Sequence, residues 1–342
     1  METVGKERLA DWGEFALIDF LARRLPPRSP ALKVGIGDDA SCWRPPAAAG
    51  ILTTVDLLVE GVHFDLAYTS AADLGWKALA VNLSDIAAMG GRAHCAFLGL
   101  GLPATTARSW LEEFVDAFLE LAARYRVELA GGDTVKAGQL VISVTLNGSC
   151  QTLSGLRSGA RAGDDIYVSG AIGDSFLGLE LLRGRLTLPP ETGGDFLRRR
   201  HLRPTPRLEL GQALVAAGAV TAMIDVSDGL AADLGHLLTA SGGLGAELES
   251  SRLPFSAPAR AVLASGRVKM AELLTGGEDF ELLFTAPPEQ AERIAEIAAA
   301  VALPVTRIGR ITATPGLYLA APEGTTELSC KGGYDHFQSQ DQ

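Results

Sequence analysis

The sequence lacks the features that mark several large protein classes. Its four cysteines in 342 residues are Cys42, Cys95, Cys150 and Cys330, and no two are close. There is no CxxC pair and no zinc-finger spacing. Few, scattered cysteines in a chain this long read as reduced and intracellular. Basic residues are outnumbered, 30 Lys and Arg against 41 Asp and Glu, giving a formal net charge of −11. Generic nucleic-acid or anionic-membrane binders carry a basic surface, so that class is excluded. Phosphate ligands are not, because Mg²⁺ can bridge carboxylates to phosphates. Gly, Asn or Asp interrupts every apolar stretch well before the ~18 residues of a membrane span. Residues 1–14 carry charges of both signs without an apolar core, unlike a signal peptide. The expected location is cytoplasmic.

Nucleotide-enzyme signatures are missing as well. There is no GxxxxGK[ST] phosphate loop and no HRD or DFG set of a protein kinase. Gly35-Ile36-Gly37 lacks the third glycine of a dinucleotide fingerprint, and no EF-hand spacing is present. The five histidines, His63, His94, His201, His236 and His336, form neither HxxxH nor HExxH.

What is present is an ordinary globular composition, 47% hydrophobic and 21% charged, long enough for two domains with a core each. Small and polar residues take over near Cys150 to Arg161, so the expected division is 1–150 and 151–342. Helical spacing is expected at Phe15 to Leu25, at the buried Ala71 to Met89, and at Thr106 to Arg126. Strands are expected at Lys33 to Ala40, Ile51 to Val59, Ala96 to Leu102 and Gln139 to Asn147. In the second half they are expected at Asp165 to Ser169, Ala222 to Val226, Phe280 to Thr285, Thr306 to Thr312 and Leu317 to Ala321. The mixed order predicts α+β or α/β layers in both halves.

The informative feature is a set of aspartates placed beside glycines or inside apolar elements: Asp38, Asp39, Asp56, Asp85, Asp133, Asp225, Asp228 and Asp279. Burying carboxylates is costly unless their charge is compensated, and several together imply hard cations, Mg²⁺ before Ca²⁺. Taken singly, each could be a helix cap or turn residue. Asp56 and Asp85 lie inside elements that need no cap. Asn82 and Asp85 share a helix face with Lys77 near it, a polar stripe that suggests a wet cleft. Ser227 and Asp228, read at a helix start, either cap it or bring backbone amides to a phosphate. His63, after the Asp56 strand, either meets a substrate or makes a structural hydrogen bond. Arg198, Arg199, Arg200 and Arg203 read as a solvated helix face.

Ordered strings along the whole chain resemble the thiamine-monophosphate kinase family. They include Gly35-Ile36-Gly37-Asp38-Asp39-Ala40, Val55-Asp56-Leu57-Leu58-Val59-Glu60-Gly61-Val62-His63-Phe64, Asn82-Leu83-Ser84-Asp85 and Gly131-Gly132-Asp133-Thr134. The second half adds His201-Leu202-Arg203-Pro204-Thr205-Pro206-Arg207, Asp225-Val226-Ser227-Asp228-Gly229, Gly276-Gly277-Glu278-Asp279-Phe280-Glu281 and Gly333-Tyr334-Asp335-His336-Phe337. The resemblance implies a two-domain α+β fold of the aminoimidazole-ribonucleotide-synthetase-like superfamily. It also implies a homodimer paired through N-terminal domains that bind ATP and several Mg²⁺ ions. Carried over by motif, Asp38, Thr54, Asp56, Asp85, Asp133, Asp225 and Asp228 become Mg²⁺ ligands. Gly132, Arg157 and Ser227 become ATP contacts, and His63, Glu278 and Tyr334 substrate contacts. One departure is Val55, where family members often have Thr; a side-chain oxygen ligand is lost there if that position supplies one.

The implied reaction moves the γ-phosphoryl group of ATP to the phosphate of thiamine monophosphate, giving thiamine diphosphate. Two anions must meet on an acidic protein, and Mg²⁺ would neutralise and align them. The acceptor oxygen is already ionised, so no strong general base and no phosphoenzyme are expected. The rivals are other ATP-using superfamily members, or a non-catalytic nucleotide or thiamine-phosphate binder. Selenide water dikinase wants a reactive residue before Cys42, and the hydrogenase maturation dehydratase wants a C-terminal cysteine tail. Neither feature is in the sequence.

Overall fold

The computed structural model describes residues 14–36, 40–47 and 50–329. The chain divides into two compact units, Met1–Ile86 with Gly91–Gln151, and Ala87–Gly90 with Thr152–Gln342. Among the described residues of the first unit the elements are α1 (Glu14–Arg24), β1 (Leu32–Val34), β2 (Cys42–Trp43), β3 (Gly50–Val59), α2 (Ala71–Ala88), β4 (Arg92–Leu102), α3 (Arg108–Tyr125), β5 (Glu128–Lys136) and β6 (Val141–Cys150). Four strands form one sheet in the order β3-β6-β4-β5. All its pairings are antiparallel except β4 with β5, which are parallel. The α3 crossover makes that parallel pairing possible.

The pleat decides what each residue of β3 does. Leu52 and Leu58 are buried, whereas Ile51, Val55 and Leu57 are 49%, 56% and 55% exposed. Even-numbered residues therefore face the core and odd-numbered ones the outer face. Helix α3 buries Leu111, Phe114, Val115, Phe118, Leu121 and Ala122 at three- and four-residue steps, the stripe expected of a helix on a sheet. Helix α2 is buried almost all round, as its Ala- and Leu-rich sequence predicts.

The second unit contains β7 (Asp165–Ser169), α4 (Asp174–Leu182), α5 (Gly194–Leu202), α6 (Leu208–Ala216), β8 (Ala222–Asp225), α7 (Leu230–Ala240), β9 (Gly245–Glu249), α8 (Ala257–Ala264), α9 (Met270–Thr275), β10 (Leu282–Ala286), α10 (Ala291–Ala300), β11 (Val305–Thr312), β12 (Gly316–Ala321) and β13 (Gly324–Glu327). Seven strands form a sheet in the order β13-β12-β9-β11-β7-β10-β8. Only β12 with β9 is parallel. Every residue of β7, β8 and β10 is buried. Ile166, Val168, Ile224 and Leu283 pack in one core with Leu177, Leu234 and Leu273 from the helices. The α+β class expected from the sequence is present in both units.

Two local expectations change. The strand expected from Lys33 to Ala40 is limited to Leu32–Val34 among the described residues. The Gly-rich stretch around Asp133, read only as a motif, is inside the full strand β5. Glycine is disfavoured in strands, but here Gly132 is sterically required. A Cβ on it would come within 2.0 Å of the Leu98 carbonyl oxygen.

A buried ion-pair cluster ties the second unit together. Glu281, immediately before β10, has no exposed side-chain surface. Its carboxylate accepts from Arg200 Nη2 at 2.8 Å, Arg207 Nε at 2.7 Å and Ser169 Oγ at 2.6 Å, and also from Arg207 Nη2. Removing one partner from such a cluster strands the remaining charges. Glu281→Gln should therefore lower the unfolding free energy by about 3–5 kcal/mol, read as a fall in the denaturant midpoint. An unchanged midpoint would show that the arginines find other partners.

Candidate functional site

In the first unit, Thr54 and Asp56 lie on the core-facing side of β3. Thr54 Oγ1 donates a short hydrogen bond to Asp85 Oδ2 on α2. Three of the expected metal residues thus lie on the β3–α2 side of the sheet, two of them in direct contact. The polar stripe of α2 is not an open cleft, however. Lys77 and Asn82 are almost fully buried, and of these three only Asp85 is partly exposed. Asn82 Nδ2 donates to the Ala78 carbonyl at 3.2 Å, and its Oδ1 has no hydrogen-bond partner among the described residues. Val55 points to the opposite face, so replacing Thr by Val there leaves the Thr54–Asp85 contact intact.

Asp133 is not brought to that cluster. Its register partner on β4 is Gly99, which pairs with Ser143 and, through it, with Leu57. Asp133 therefore occupies the outer face, exposed, with Oδ1 accepting from the Thr134 amide at 2.8 Å. Gly132 is the residue level with Asp56 on the other face. His63 sits in the turn after β3, where its Nδ1 accepts from the Val59 amide at 3.1 Å. That bond assigns the ring proton of the neutral form to Nε2. Asp38 and Tyr334 lie outside the described residues.

In the second unit, Asp225 is the buried last residue of β8. Helix α7 begins only at Leu230, with Gly229 at its N-cap, so the expected helix start at Ser227 or Asp228 is corrected. Neither residue caps the helix. Instead their amides both donate to Asp233 Oδ2 at 3.0 Å, back from the first turn of α7. Sequence reading missed Asp233; its signal was a carboxylate inside the apolar run Leu230-Ala231-Ala232-Asp233-Leu234. Burial, then the charges of Asp225 and Asp228, push its carboxyl up to about 8. Arg157, an expected ATP contact, is exposed on the loop before β7, and its carbonyl accepts from Ser241 Oγ at 3.4 Å.

The segment Gly276–Glu281 lies against Val226 and Ser227. The Glu278 amide donates to the Ser227 carbonyl at 2.7 Å, and the Phe280 amide to that of Val226 at 2.8 Å. A Cβ on Gly277 would meet the Ser227 oxygen at 2.4 Å, so only glycine permits this approach. Glu278 and Phe280 adopt left-handed backbone, φ 67° and 50°, a cost of about 1–3 kcal/mol each that surrounding contacts must offset. Asp279 supplies some of them. Its carboxylate accepts from the Gly173 and Ser175 amides at 2.6 and 3.0 Å, at the start of α4. Burial pushes its carboxyl up to about 7 against the opposing pull of Arg200 and these two amides. Asp279 was expected to belong with the cation-compensated acids; amides and Arg200 hold it instead.

Arg200 corrects another expectation. Its side chain is turned inward, 12% exposed, and bonded to Glu281 and to the Asp279 carbonyl, not part of a solvated face, although nearby Arg198 does pair with exposed Asp195. Arg207, quoted only as part of a motif, serves the same cluster. His201, which is buried, places Nδ1 3.2 Å from Glu278 Oε2 and 3.1 Å from Ser175 Oγ.

Among the described residues, no group of three or more His, Cys, Asp or Glu side chains is positioned to hold a metal ion. By chemistry the donors do suit Mg²⁺: Thr54, Asp56 and Asp85 in one unit and Asp225 and Asp228 in the other offer only oxygen. Among the described residues Cys42, Cys95 and Cys150 are free, and no helix is long and apolar enough to cross a membrane.

Comparison with known proteins places this arrangement. The model of the AIR synthase related protein N-terminal domain matches residues 37–150, and that of the C-terminal domain residues 161–321. Thiamine-monophosphate kinase of Escherichia coli strain K12 is 40% identical over 328 residues, 95% of this chain and 98% of the relative. This chain belongs to the thiamine-monophosphate kinase family. The family's crystal structure from Stenotrophomonas maltophilia K279a has 40% identity and a TM-score of 0.77, covering 89% of this chain and 94% of that one. A further solved structure, AaThiL complexed with AMPPCP and TMP, has 35% identity and a TM-score of 0.72, covering 94% and 99%.

Asp233 generates a prediction. Its folded pKa lies above the ordinary carboxylate value, so between about pH 4 and 8 the folded state holds a proton that the unfolded chain has released. The stability this group contributes is present at low pH and is lost as pH rises through about 8. Asp233→Asn keeps an oxygen for both amides without the charge. In metal-free protein the variant's melting-temperature advantage over wild type should widen from pH 5 to pH 8.5, by about 2 °C or more. A pH-independent gap would mean that Asp233 does not titrate in this range.

Proposed function

We propose that this chain transfers the γ-phosphoryl group of ATP to the phosphate of thiamine monophosphate, releasing thiamine diphosphate and ADP. The observation that carries the reading is identity along nearly the whole chain to thiamine-monophosphate kinases. The AMPPCP and TMP complex of a 35% identical structure supports both substrates.

In this reading residues 1–150 bind ATP and Mg²⁺ and pair two subunits, and residues 151–342 supply further metal, ATP and substrate contacts of their own. Mg²⁺, when bound, supplies charge neutralisation for the two anionic partners. Asp56 and Asp85, with the Thr54 hydroxyl, would hold it in the first unit, and Asp225 and Asp228 in the second. Asp38 extends the set by resemblance; Asp133, carried over the same way, faces the other side of the sheet and would serve a separate ion. The Thr54 hydroxyl occupies one lone pair of Asp85 and so orients its carboxylate. Gly132, Ser227 and Arg157 are the ATP contacts. Ser227 is held by its amide on Asp233, and Gly132 lets the chain pass close to β4. His63, with its Nδ1 engaged by Val59, is suited to donating from Nε2. It is not needed as a base, because the acceptor phosphate is ionised near neutral pH. Glu278 presents a carboxylate to the cationic thiamine moiety, and Tyr334 is a substrate contact by resemblance. The transfer is direct, with no phosphorylated side chain. The exposed apolar row Ile51, Val55 and Leu57, joined by exposed Val135 on β5, supports pairing of two copies through this sheet face.

The first test is product formation from ATP, Mg²⁺ and thiamine monophosphate, with free thiamine as a parallel acceptor. Thiamine diphosphate and ADP should appear together, and only with the monophosphate. Asp56→Asn and Asp85→Asn should each lower kcat about a hundredfold or more, about 2.7 kcal/mol of transition-state stabilisation. Binding of Mg-ATP without product would move the reading to a non-catalytic binder. A separate measurement addresses pairing: Val55→Asp combined with Leu57→Asp should shift the sedimentation coefficient from dimer to monomer, and an unchanged dimer would place the interface elsewhere.

A further inference from the structure

Three acids lie within four residues of one another in the segment Glu278-Asp279-Phe280-Glu281, and the fold treats them differently. Asp279 and Glu281 are fully buried and held by amides, arginines and a serine. The Glu278 side chain alone is partly open, 30% exposed. Its backbone is in the left-handed region and is pinned by the Ser227 carbonyl. Clamping the residues after a strained position while leaving its own carboxylate partly open is how a chain presents one charged group in a fixed direction. The direction still has to be set at the side chain, because a glutamate has free rotors beyond Cβ.

Buried His201 on α5 supplies that restraint. Its Nδ1 lies 3.2 Å from Glu278 Oε2 and 3.1 Å from Ser175 Oγ. With Glu278 ionised, the arrangement requires the proton on Nδ1, since two acceptors facing each other would repel. Ser175 is itself fixed by its amide on Asp279. The neighbouring residue on the helix, Arg200, is anchored on Glu281 and the Asp279 carbonyl. The imidazole is therefore held from the same frame that clamps the loop.

We propose that His201 is a positioning residue: by donating from Nδ1 to Glu278 it aims that carboxylate at the cationic thiamine part of the acceptor, and so sets acceptor affinity without touching the transferred phosphoryl group. This rests on the kinase reading above and on Glu278 as its acceptor contact.

The test compares His201→Ala, His201→Asn, Glu278→Gln and the His201→Ala/Glu278→Gln pair. Asn carries an amide nitrogen close to where Nδ1 stands. His201→Ala should raise KM for thiamine monophosphate about tenfold, leaving kcat and KM for ATP within about twofold. His201→Asn should recover most of that loss. In the Glu278→Gln background the His201 change should have no further effect on the acceptor KM. An equal rise in both KM values, no recovery by Asn, or a full additional loss in the double variant would each overturn the proposal. Should His201→Ala fail to fold, the ¹⁵N spectrum of His201 decides between wild type and Glu278→Leu, which removes the acceptor. A protonated Nδ1 in wild type that is lost in the variant supports the bond, and identical spectra overturn it. If wild-type protein makes no thiamine diphosphate, the kinase reading fails instead, while the spectra still judge the His201–Glu278 bond.

Discussion

The second unit depends on one buried carboxylate. Glu281 sits where three segments that are distant in sequence must meet: Ser169 at the end of β7, Arg200 on α5 and Arg207 before α6. Burying an ion in a medium of low dielectric is expensive, and here the cost is offset by four hydrogen bonds from charged and hydroxyl donors. Such a cluster is specific rather than merely cohesive. An apolar contact tolerates sliding, whereas a carboxylate shared by two guanidinium groups has few satisfactory geometries. The strained residues Glu278 and Phe280 lie one to three positions away, so the register that Glu281 fixes in β10 also fixes the loop that precedes it.

The first unit uses a different constraint, the two-residue period of a strand. Thr54 and Asp56 face the helix while Val55 and Leu57 face outward, so one strand serves a polar cluster and an apolar surface at once. The same parity separates Asp133 from Asp56, although the strings that contain them look alike in sequence. A one-residue slip would exchange the two faces entirely. Gly132 guards against it, because only glycine fits beside the Leu98 carbonyl at that level.

Much of this was legible in the sequence, and the failures have physical causes. Helices α2 and α3 and strand β3 follow apolar periodicity, which local sequence carries directly. Strand β5 did not announce itself, because Gly131 and Gly132 have low strand preference, and Gly132 is there for backbone clearance against β4. The aspartates were visible as a set, but which of them share a face depends on register between strands, and that is a tertiary fact. Asp233 was overlooked because a carboxylate in a first helical turn is so often a solvated charge. Arg200 was misread for the complementary reason. A run of arginines suggests solvent, and the buried partner that draws one of them inward lies 81 residues away.

The acid excess follows the same logic. Carboxylates that the fold compensates by itself, Asp279 and Glu281, are met by amides and arginines from the second unit. Asp233 is also met by amides, those of Ser227 and Asp228, but burial and then the negative charges of Asp225 and Asp228 make ionising it harder. Arg200 and Arg207 are placed where shape has to be held. In the proposed function Asp225 and Asp228, rather than Asp279 or Glu281, are the acids of this unit that accept charge from a bound cation.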